Sequence, residues 1–560
     1  MTDLPPSPAS GPIAINGRHV SSLYPVVIVG GGPTGLSLAN LLSRYGTYAL
    51  LVERNATTVQ EPRAVSIDDE SLRTMQAAGV IDRVMPDIVA GYGSEYYGPA
   101  GDLFLKVEPS EEPYGYPRRN AFRQPLFESQ LREALVSSET VDALFGWTLE
   151  SFEQVEENVI VHLKNAAGQR HMVRCAYLVG ADGAKSPVRG ALGLRLDGET
   201  FEEKWLIVDL EDSPTLSRET MVFCNTRRPC IALPGPNATR RFEFKLLTGE
   251  SPDDMVSQER VEKLLSDHGV HPGSRISRKV VYTFHARVAP QWSSGRVFLA
   301  GDACHLTPPF AGQGMNSCIR DAHNLAWKLA WVTGGILRAD ILKSYESERR
   351  DHVREMIGLA LRMGRIMGPR NAAIGFVTRS LFHLLGCWPR ARDYFAQMKY
   401  KPKPRFREGF LLPDGKSVRA TSVGRLLPQP QVLRADGSLV LLDEIMGNGF
   451  ALVALTENIG ELSKLVRKPA LARLQPKMVA VLPPNAAVPD IVHEDVDIVT
   501  DPSGVLADAA GQVGDAVFLI RPDRYVLANF ALEDAAEVAD NLANLLGASP
   551  GKPVLSRLVA

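Results

Sequence analysis

A short apolar run that stops on a cluster of glycines sets what this chain can fold into. Val26-Val27-Ile28-Val29 is followed by Gly30-Gly31-Gly32-Pro33-Thr34-Gly35. Apolar residues at helical spacing then run from Leu36 to Tyr45, and a second apolar run, Ala49-Leu50-Leu51-Val52, ends in Glu53 and Arg54. Runs without polar alternation are strands covered on both faces. Strand, helix and strand in that order open a parallel, doubly wound α/β sheet. Gly30, Gly32 and Gly35 occupy the GxGxxG places. The first permits the tight turn, the second lets the backbone approach a pyrophosphate, and the third lets helix and strand pack closely. The helix that begins at Pro33 and Thr34 points its free N–H groups and its positive dipole end at the phosphates. Glu53 closes the second strand, where a carboxylate accepts hydrogen bonds from ribose hydroxyls. This loop alone does not choose NAD from FAD.

At 560 residues the chain exceeds one core, so two or three domains are expected. Its formal charge of -2 gives no basic excess for a phosphate backbone, which disfavours nucleic acid as a partner. Six cysteines, Cys175, Cys224, Cys230, Cys304, Cys318 and Cys387, form no CxxC pair. Zinc ribbons and dithiol centres are therefore disfavoured, no metal site is expected, and a reducing compartment fits. Residues 1–24 are rich in Pro, Ser and Gly and read as a flexible tail without the pattern of a secretion signal. Residues 371–388 form the most apolar later stretch, but Arg379 and His383 interrupt it. That makes it an amphipathic or buried helix rather than a membrane span. Cytoplasm is the default location.

The pattern divides the chain into a discontinuous nucleotide-binding domain over 25–400 (about 25–98, 115–200 and 286–400) and an inserted antiparallel sheet (about 99–114 and 201–285). Short strands are expected at Leu103 to Val107, Val159 to Leu163, Leu206 to Leu210, Met221 to Cys224, Arg241 to Leu247 and Val280 to Phe284. Lys401 to Arg405 has the composition of a linker. A separate α/β domain is expected over 401–560.

Two further segments resolve the choice of cofactor. Gly180-Ala181-Asp182-Gly183 follows the apolar Tyr177-Leu178-Val179, and Gly301-Asp302-Ala303-Cys304-His305 leads into Thr307-Pro308-Pro309-Phe310-Ala311-Gly312-Gln313-Gly314-Met315-Asn316. With the glycine loop, these DG and GD motifs stand in the order found in the class A flavoprotein aromatic hydroxylases, which the chain resembles. The likeness is closest to the 3-(3-hydroxyphenyl)propanoate hydroxylases. It is carried also by Pro62-Arg63-Ala64, Ile67-Asp68-Asp69-Glu70, Tyr116 to Phe122, Arg240 to Phe244, Tyr282-Thr283 and Arg320-Asp321-Ala322.

The resemblance implies a Rossmann-like FAD-binding fold, an inserted substrate sheet and a thioredoxin-like C-terminal domain. No cysteine stands in Thr456-Glu457-Asn458-Ile459, so that last domain has no dithiol to exchange. FAD is the implied cofactor and NADH or NADPH the cosubstrate. Gly30, Gly32, Pro33, Thr34, Gly35, Glu53 and Arg54 serve the nucleotide end. Arg63 and Gln124 meet the FAD chain and phosphates, Asp182 and Gly183 serve both FAD and NAD(P)H, and Asp302 holds the ribityl hydroxyls. Pro309 walls the reactive ring edge, and Gly312, Gly314, Met315 and Asn316 start a helix aimed at the pyrimidine side of the flavin. The implied reaction hydroxylates a phenol ortho or para to its hydroxyl through a flavin C4a-hydroperoxide.

A base beside the phenol is expected. Spacings shared with phenol hydroxylases put Asp68 and Tyr282 there, with His285 in reserve. The bland alternatives are that Asp68 caps a helix starting at Asp69 or Glu70, that Tyr282 packs in the sheet, and that His285 is a satisfied core residue. Arg118 and Arg119 meet either a substrate carboxylate or solvent and FAD phosphate. The rivals are other flavin oxidations or epoxidation of an aromatic or polyketide substrate, and a noncatalytic FAD-binding redox sensor. The halogenase WxWxIP motif is missing. The expected partners are a small phenol and O2, without nucleic acid or membrane. The oligomeric state is open, a homodimer included.

Overall fold

The computed structural model describes residues 14–15, 18–213, 217–271, 273–484, 486, 495–511, 513 and 515–547. Most of the expected N-terminal tail lies outside these residues. Ala14–Ile15 pairs antiparallel with Arg18–His19, and the first strand of the large sheet begins at Leu23 with Tyr24 already buried, so order starts earlier than the expected boundary at residue 25.

The first sheet runs in the order Val141–Phe145, Ala49–Glu53, Leu23–Val29, Arg170–Gly180, Asn158–Asn165, Trp147–Val155. Its first four strands are parallel, and Val297–Leu299 joins parallel to Arg170–Gly180. Helices Pro33–Arg44 and Gly314–Thr333 pack on it, their apolar faces closed into one core with Val27, Leu51 and Leu178. Asn158–Asn165 differs from expectation. It extends this sheet as an antiparallel hairpin with Trp147–Val155 and takes no part in the inserted one. Alternation alone does not say which sheet a strand joins.

The inserted sheet is ordered His305–Leu306, Arg275–Val288, Asp197–Glu211, Arg240–Lys245, Cys230–Pro234, Thr220–Phe223, Ser94–Tyr97, Leu103–Val107. It is antiparallel except where Thr220–Phe223 runs parallel to Ser94–Tyr97. Ser94–Tyr97, residues 197–200 and residues 286–288 therefore belong to it, beyond the limits drawn from composition.

The C-terminal sheet is ordered Leu439–Leu441, Gln431–Leu433, Val496–Thr500, Lys477–Leu482, Ala451–Leu455, Ala516–Ile520, Val526–Ala531, and helix Ala535–Leu546 follows it. Phe410 and Phe450 pack against Trp327 at 5.9 and 5.7 Å between ring centroids, so this domain shares a core with the FAD-side helices. Lys401, expected in a linker, instead reaches back and ion-pairs with Asp68 and Glu70 at 3.0 and 2.8 Å. No helix among the described residues is long and apolar enough to cross a membrane. Helix Ala372–Gly386 lies on the surface, with Phe376, Val377 and Leu384 each 64% exposed.

Candidate active site

Backbone geometry builds the nucleotide end. Gly30 has φ +112, and a Cβ there would stand 2.2 Å from the Ala181 carbonyl oxygen. A Cβ on Gly35 would stand 1.8 Å from the Gly30 oxygen. Both contacts are closed to any other residue. At Gly32 a Cβ meets nothing within 4 Å, so the protein leaves open space over the loop at the start of helix Pro33–Arg44. Glu53 accepts hydrogen bonds from the N–H groups of Gly31 at 2.6 Å and Asn55 at 2.8 Å, holding the loop to the second strand.

The DG and GD turns flank this loop. Asp182 caps the turn through Oδ2, which accepts from Val188 N–H at 2.9 Å, while its buried Oδ1 has no partner. Burial pushes its carboxyl up. Burial does the same to Asp302, with His305 pulling back. Asp302 is set in place by Asp321, a residue whose role the motif did not foretell. Asp321 accepts from Gly301 N–H at 3.2 Å, His305 Nε2 at 2.7 Å and Arg349 Nε at 2.9 Å. Burial raises Asp321, but His305 and Arg349 outweigh it and hold the carboxyl low. Gln124 accepts from the N–H groups of Arg63 and Ala64, both at 2.9 Å, and so fixes the segment that carries Arg63.

Pro309–Ala311 makes one 3-10 turn, Gly312 takes φ +61, and helix Gly314–Thr333 begins with no side-chain cap. Its first N–H groups are left free for an anion. Asn316 is fully buried and staples this turn. Its Nδ2 donates to Gly312 O at 2.7 Å, and its Oδ1 accepts from Asp68 N–H at 3.0 Å.

One continuous cavity of about 460 Å³ joins these parts to the inserted sheet. Gly30, Gly32, Pro33, Thr34, Glu53, Arg54, Arg63, Gln124, Asp182, Gly183, Asp302, Pro309, Gly312, Gly314 and Met315 line it. Gly35 and Asn316 stand behind the wall. The donor set suits a flavin dinucleotide: an open glycine cradle, an unpartnered buried carboxylate oxygen at Asp182, and a helix start with free N–H groups.

The expected bases do not line this cavity. Asp68 is the N-cap of helix Asp69–Ala77, accepting from Ser71 N–H at 3.0 Å, and it is ion-paired with Arg320 and Lys401. Burial raises its carboxyl, yet those two cations prevail and hold it below the ordinary range. Tyr282 OH accepts from Arg278 at 3.1 Å, and His285 Nδ1 lies 3.2 Å from Thr200 Oγ1.

Sequence reasoning missed most of the far wall: Ser94, Tyr96, Thr220, Ile231, Leu233, Glu243, Met363 and Tyr400. Arg119 lines it as well, hydrogen-bonded to Ser94 Oγ and stacked 4.5 Å from the Tyr92 ring centroid. Arg118 is turned away, tied to Gln397 O at 2.6 Å and Glu111 at 2.7 Å.

Known proteins similar to this chain bind FAD. Residues 23–360 match the family model described as FAD binding domain, and residues 424–545 match the HcaD C-terminal domain. The chain is 35% identical over 525 residues to the 3-(3-hydroxy-phenyl)propionate/3-hydroxycinnamic acid hydroxylases of Escherichia coli K12 and O81, covering 93% of this chain and 94% of each relative. In three dimensions it is similar to the flavin-dependent monooxygenase PieE, solved with FAD and substrate (TM-score 0.78, 24% identity, 94% of this chain and 99% of that one). It is also similar to aklavinone-11 hydroxylase, solved with FAD and aklavinone (TM-score 0.74, 24% identity, 93% and 99%).

Proposed function

This chain belongs to the FAD-dependent flavoprotein aromatic hydroxylases, and from that premise we propose that it uses NADH or NADPH and O2 to hydroxylate a phenol bearing a short acidic tail, of the 3-(3-hydroxyphenyl)propanoate type, ortho or para to its hydroxyl. The observation that carries this reading is one continuous cavity lined both by the dinucleotide cradle and by Arg119. The 3-(3-hydroxy-phenyl)propionate/3-hydroxycinnamic acid hydroxylase activity of the Escherichia coli relatives supports the same substrate class.

Gly30 to Thr34, Glu53, Arg54, Arg63, Gln124, Asp182 and Asp302 would hold FAD. Bound there, it supplies the transfer of electrons from the nicotinamide to dioxygen and of one oxygen atom to the ring. The free N–H groups at Gly314 and Met315 stabilise negative charge at that end of the site. Val222, Ile231, Leu233 and Met363 exclude water from the reacting ring. Arg119, oriented by Ser94 and Tyr92, pairs with the substrate carboxylate. The C-terminal domain is read as a thioredoxin-like unit without a dithiol that acts by packing. The unpaired cysteines fit a cytoplasmic enzyme.

The test is NAD(P)H oxidation with product identification. Acid-tailed phenols should accelerate NAD(P)H oxidation and yield dihydroxy products. Arg119→Met should raise KM for them by about 10- to 100-fold, the cost of one charge-assisted hydrogen-bonded pair, while neutral alkylphenols change little. A wild-type protein that neither responds to phenols nor oxygenates them rules the reading out.

A further inference from the structure

Strand Arg240–Lys245 carries a group that no role described so far uses. Glu243 is 5% exposed and lines the cavity, yet its carboxylate accepts no hydrogen bond and forms no ion pair among the described residues. The opposite charge that acts on it is Arg241, which is engaged by Asp209 at 2.6 Å and by the carbonyls of Pro62 and Arg63. A buried carboxylate left without a partner is costly, and in a cleft it marks a place where a ligand completes the pairing.

Sheet register places this group against the substrate. Residues paired across neighbouring strands share a face. Glu243 pairs with Ile231, Ile231 with Val222, and Val222 with Tyr96, and all four line the cavity. Strand Ser94–Tyr97, where Ser94 holds Arg119, is third from the strand of Glu243. Three strand spacings are about 14 Å. A glutamate reaching from one end and an arginine from the other leave the length of a phenol with a two- or three-carbon acid tail.

Resting on the hydroxylase reading above, we propose that Glu243 is a catalytic residue: its carboxylate accepts the hydrogen bond of the substrate phenol and takes the phenol proton as the ring is oxygenated. The phenol O–H bond breaks and an O–H bond forms on Glu243. The electron pair left on oxygen enters the ring and raises the nucleophilicity of the ortho and para carbons. O2 and NAD(P)H remain the oxidant and reductant. Once the new C–O bond exists, the proton returns from Glu243 to the first oxygen. The hydroxylated carbon sheds its own proton to solvent, which restores the aromatic ring and leaves Glu243 ionised.

The surroundings suit this role. Burial pushes the Glu243 carboxyl up, Arg241 pulls it back, and Asp209 adds to the rise. The rise narrows the gap to a phenol, which ionises near 10. Glu243 in turn helps push the Cys230 thiol up. Arg119, Lys401, Tyr96 and Tyr400 also line the cavity. Burial holds both tyrosines protonated beyond the usual range, so neither competes as a base. Among the described residues no histidine lines the cavity.

Holoenzymes of wild type, Glu243→Gln and Glu243→Asp are compared for dihydroxy product per NAD(P)H across pH. The substrates are 3-(3-hydroxyphenyl)propanoate and a ring-fluorinated analogue with a more acidic phenol. In wild type, hydroxylation should rise with pH as Glu243 ionises, above the ordinary carboxylate range. Glu243→Gln should retain FAD, lose that limb and form product about 100-fold more slowly. It should recover with the acidic analogue or at alkaline pH, where the phenol ionises unaided. Glu243→Asp should keep the limb at a reduced rate, and it decides the matter if the glutamine variant does not fold. Equal slowing with both phenols at every pH, or an unchanged product yield, overturns the inference and leaves the hydroxylase reading standing. A wild type inactive on every phenol overturns both.

Discussion

Replacing Glu348 by glutamine should loosen the joint between the FAD-side helices and the C-terminal domain. Glu348 is 2% exposed on helix Ser344–Met367. It accepts hydrogen bonds from Arg521 at 2.9 and 2.7 Å, Lys328 at 2.7 Å, Asn324 at 2.7 Å and the Phe410 N–H at 2.9 Å. Burial pushes its carboxyl up, but Arg521 and Lys328 outweigh that and hold it at about 2 against an ordinary 4.5. Each unit is worth about 1.4 kcal/mol, so ionised Glu348 contributes about 3 kcal/mol at neutral pH. Breaking a buried ion pair by removing one partner costs about 3–5 kcal/mol, which agrees. The sign follows from a lowered folded-state value. The contribution is present above the unfolded carboxylate range and is lost as pH falls from about 4.5 toward 2. Burial already lowers Lys328 to about 8 against the pull of Glu348, so the glutamine variant leaves a buried ammonium without its carboxylate partner. Denaturation of the holoenzyme at pH 7, followed by tryptophan emission, should show Glu348→Gln destabilised by about 3 kcal/mol. Adding Lys328→Met should recover about 1–2 kcal/mol, since it removes the charge left unpaired. A loss below about 1 kcal/mol, or a double variant no better than the single one, refutes the reasoning.

Gly30→Ala and Gly32→Ala should differ. The first drives a Cβ to 2.2 Å from a backbone oxygen and should yield unstable protein. The second has open space, so it should fold with wild-type circular dichroism yet lose FAD absorbance on gel filtration. Asp69→Asn should stabilise the protein increasingly as pH rises. Burial, helped by Asp68 and Glu70 against Lys401, pushes Asp69 to about 7 from 3.8. The folded state therefore binds the extra proton, and stability is lost as pH climbs from about 4 through about 7. Melting midpoints of wild type and variant should diverge over that window by an amount equivalent to about 4 kcal/mol, and parallel curves would rule this out.

The nucleotide end was legible because its constraints are local. Gly30 and Gly35 answer to backbone contacts made within a few residues or by one adjacent strand, and Gly312 to its own φ of +61, and such needs leave a mark in sequence. Arg119 and Glu243 were not placed because they meet only through sheet register. Their cavity row draws on strands near 96, 222, 231 and 243, and one slipped residue would turn each side chain to the opposite face. Asp68 shows why spacing misleads. The same Asp-Asp-Glu-Ser pattern that matches a hydroxylase motif is also an N-cap with acids in the first helical turn, and that is the geometry observed. Lys401 had a linker's neighbours, and nothing local marks it as the counter-charge for residues more than three hundred positions away.

Asp68 nevertheless bears on the site through its backbone. Its N–H and the Ser71 hydroxyl both donate to Asn316 Oδ1, and Asn316 Nδ2 holds Gly312 O. Helix Asp69–Ala77 thereby fixes the turn whose free N–H groups face the cavity. The same helix is gripped from its far side by Arg73, which donates to Asp443 at 2.8 and 2.7 Å and to Leu427 O at 2.6 Å, both in the C-terminal domain. Lys401 and Arg320 neutralise two of the three carboxylates at its start, and Asp69, pushed to about 7, is protonated in acid solution. A domain without a dithiol, and whose described residues reach the cavity only at Lys401, thus has a physical connection to the chemistry. It clamps the helix that clamps the turn, so the anion-stabilising N–H groups are oriented before any charge develops, as electrostatic stabilisation without reorganisation requires.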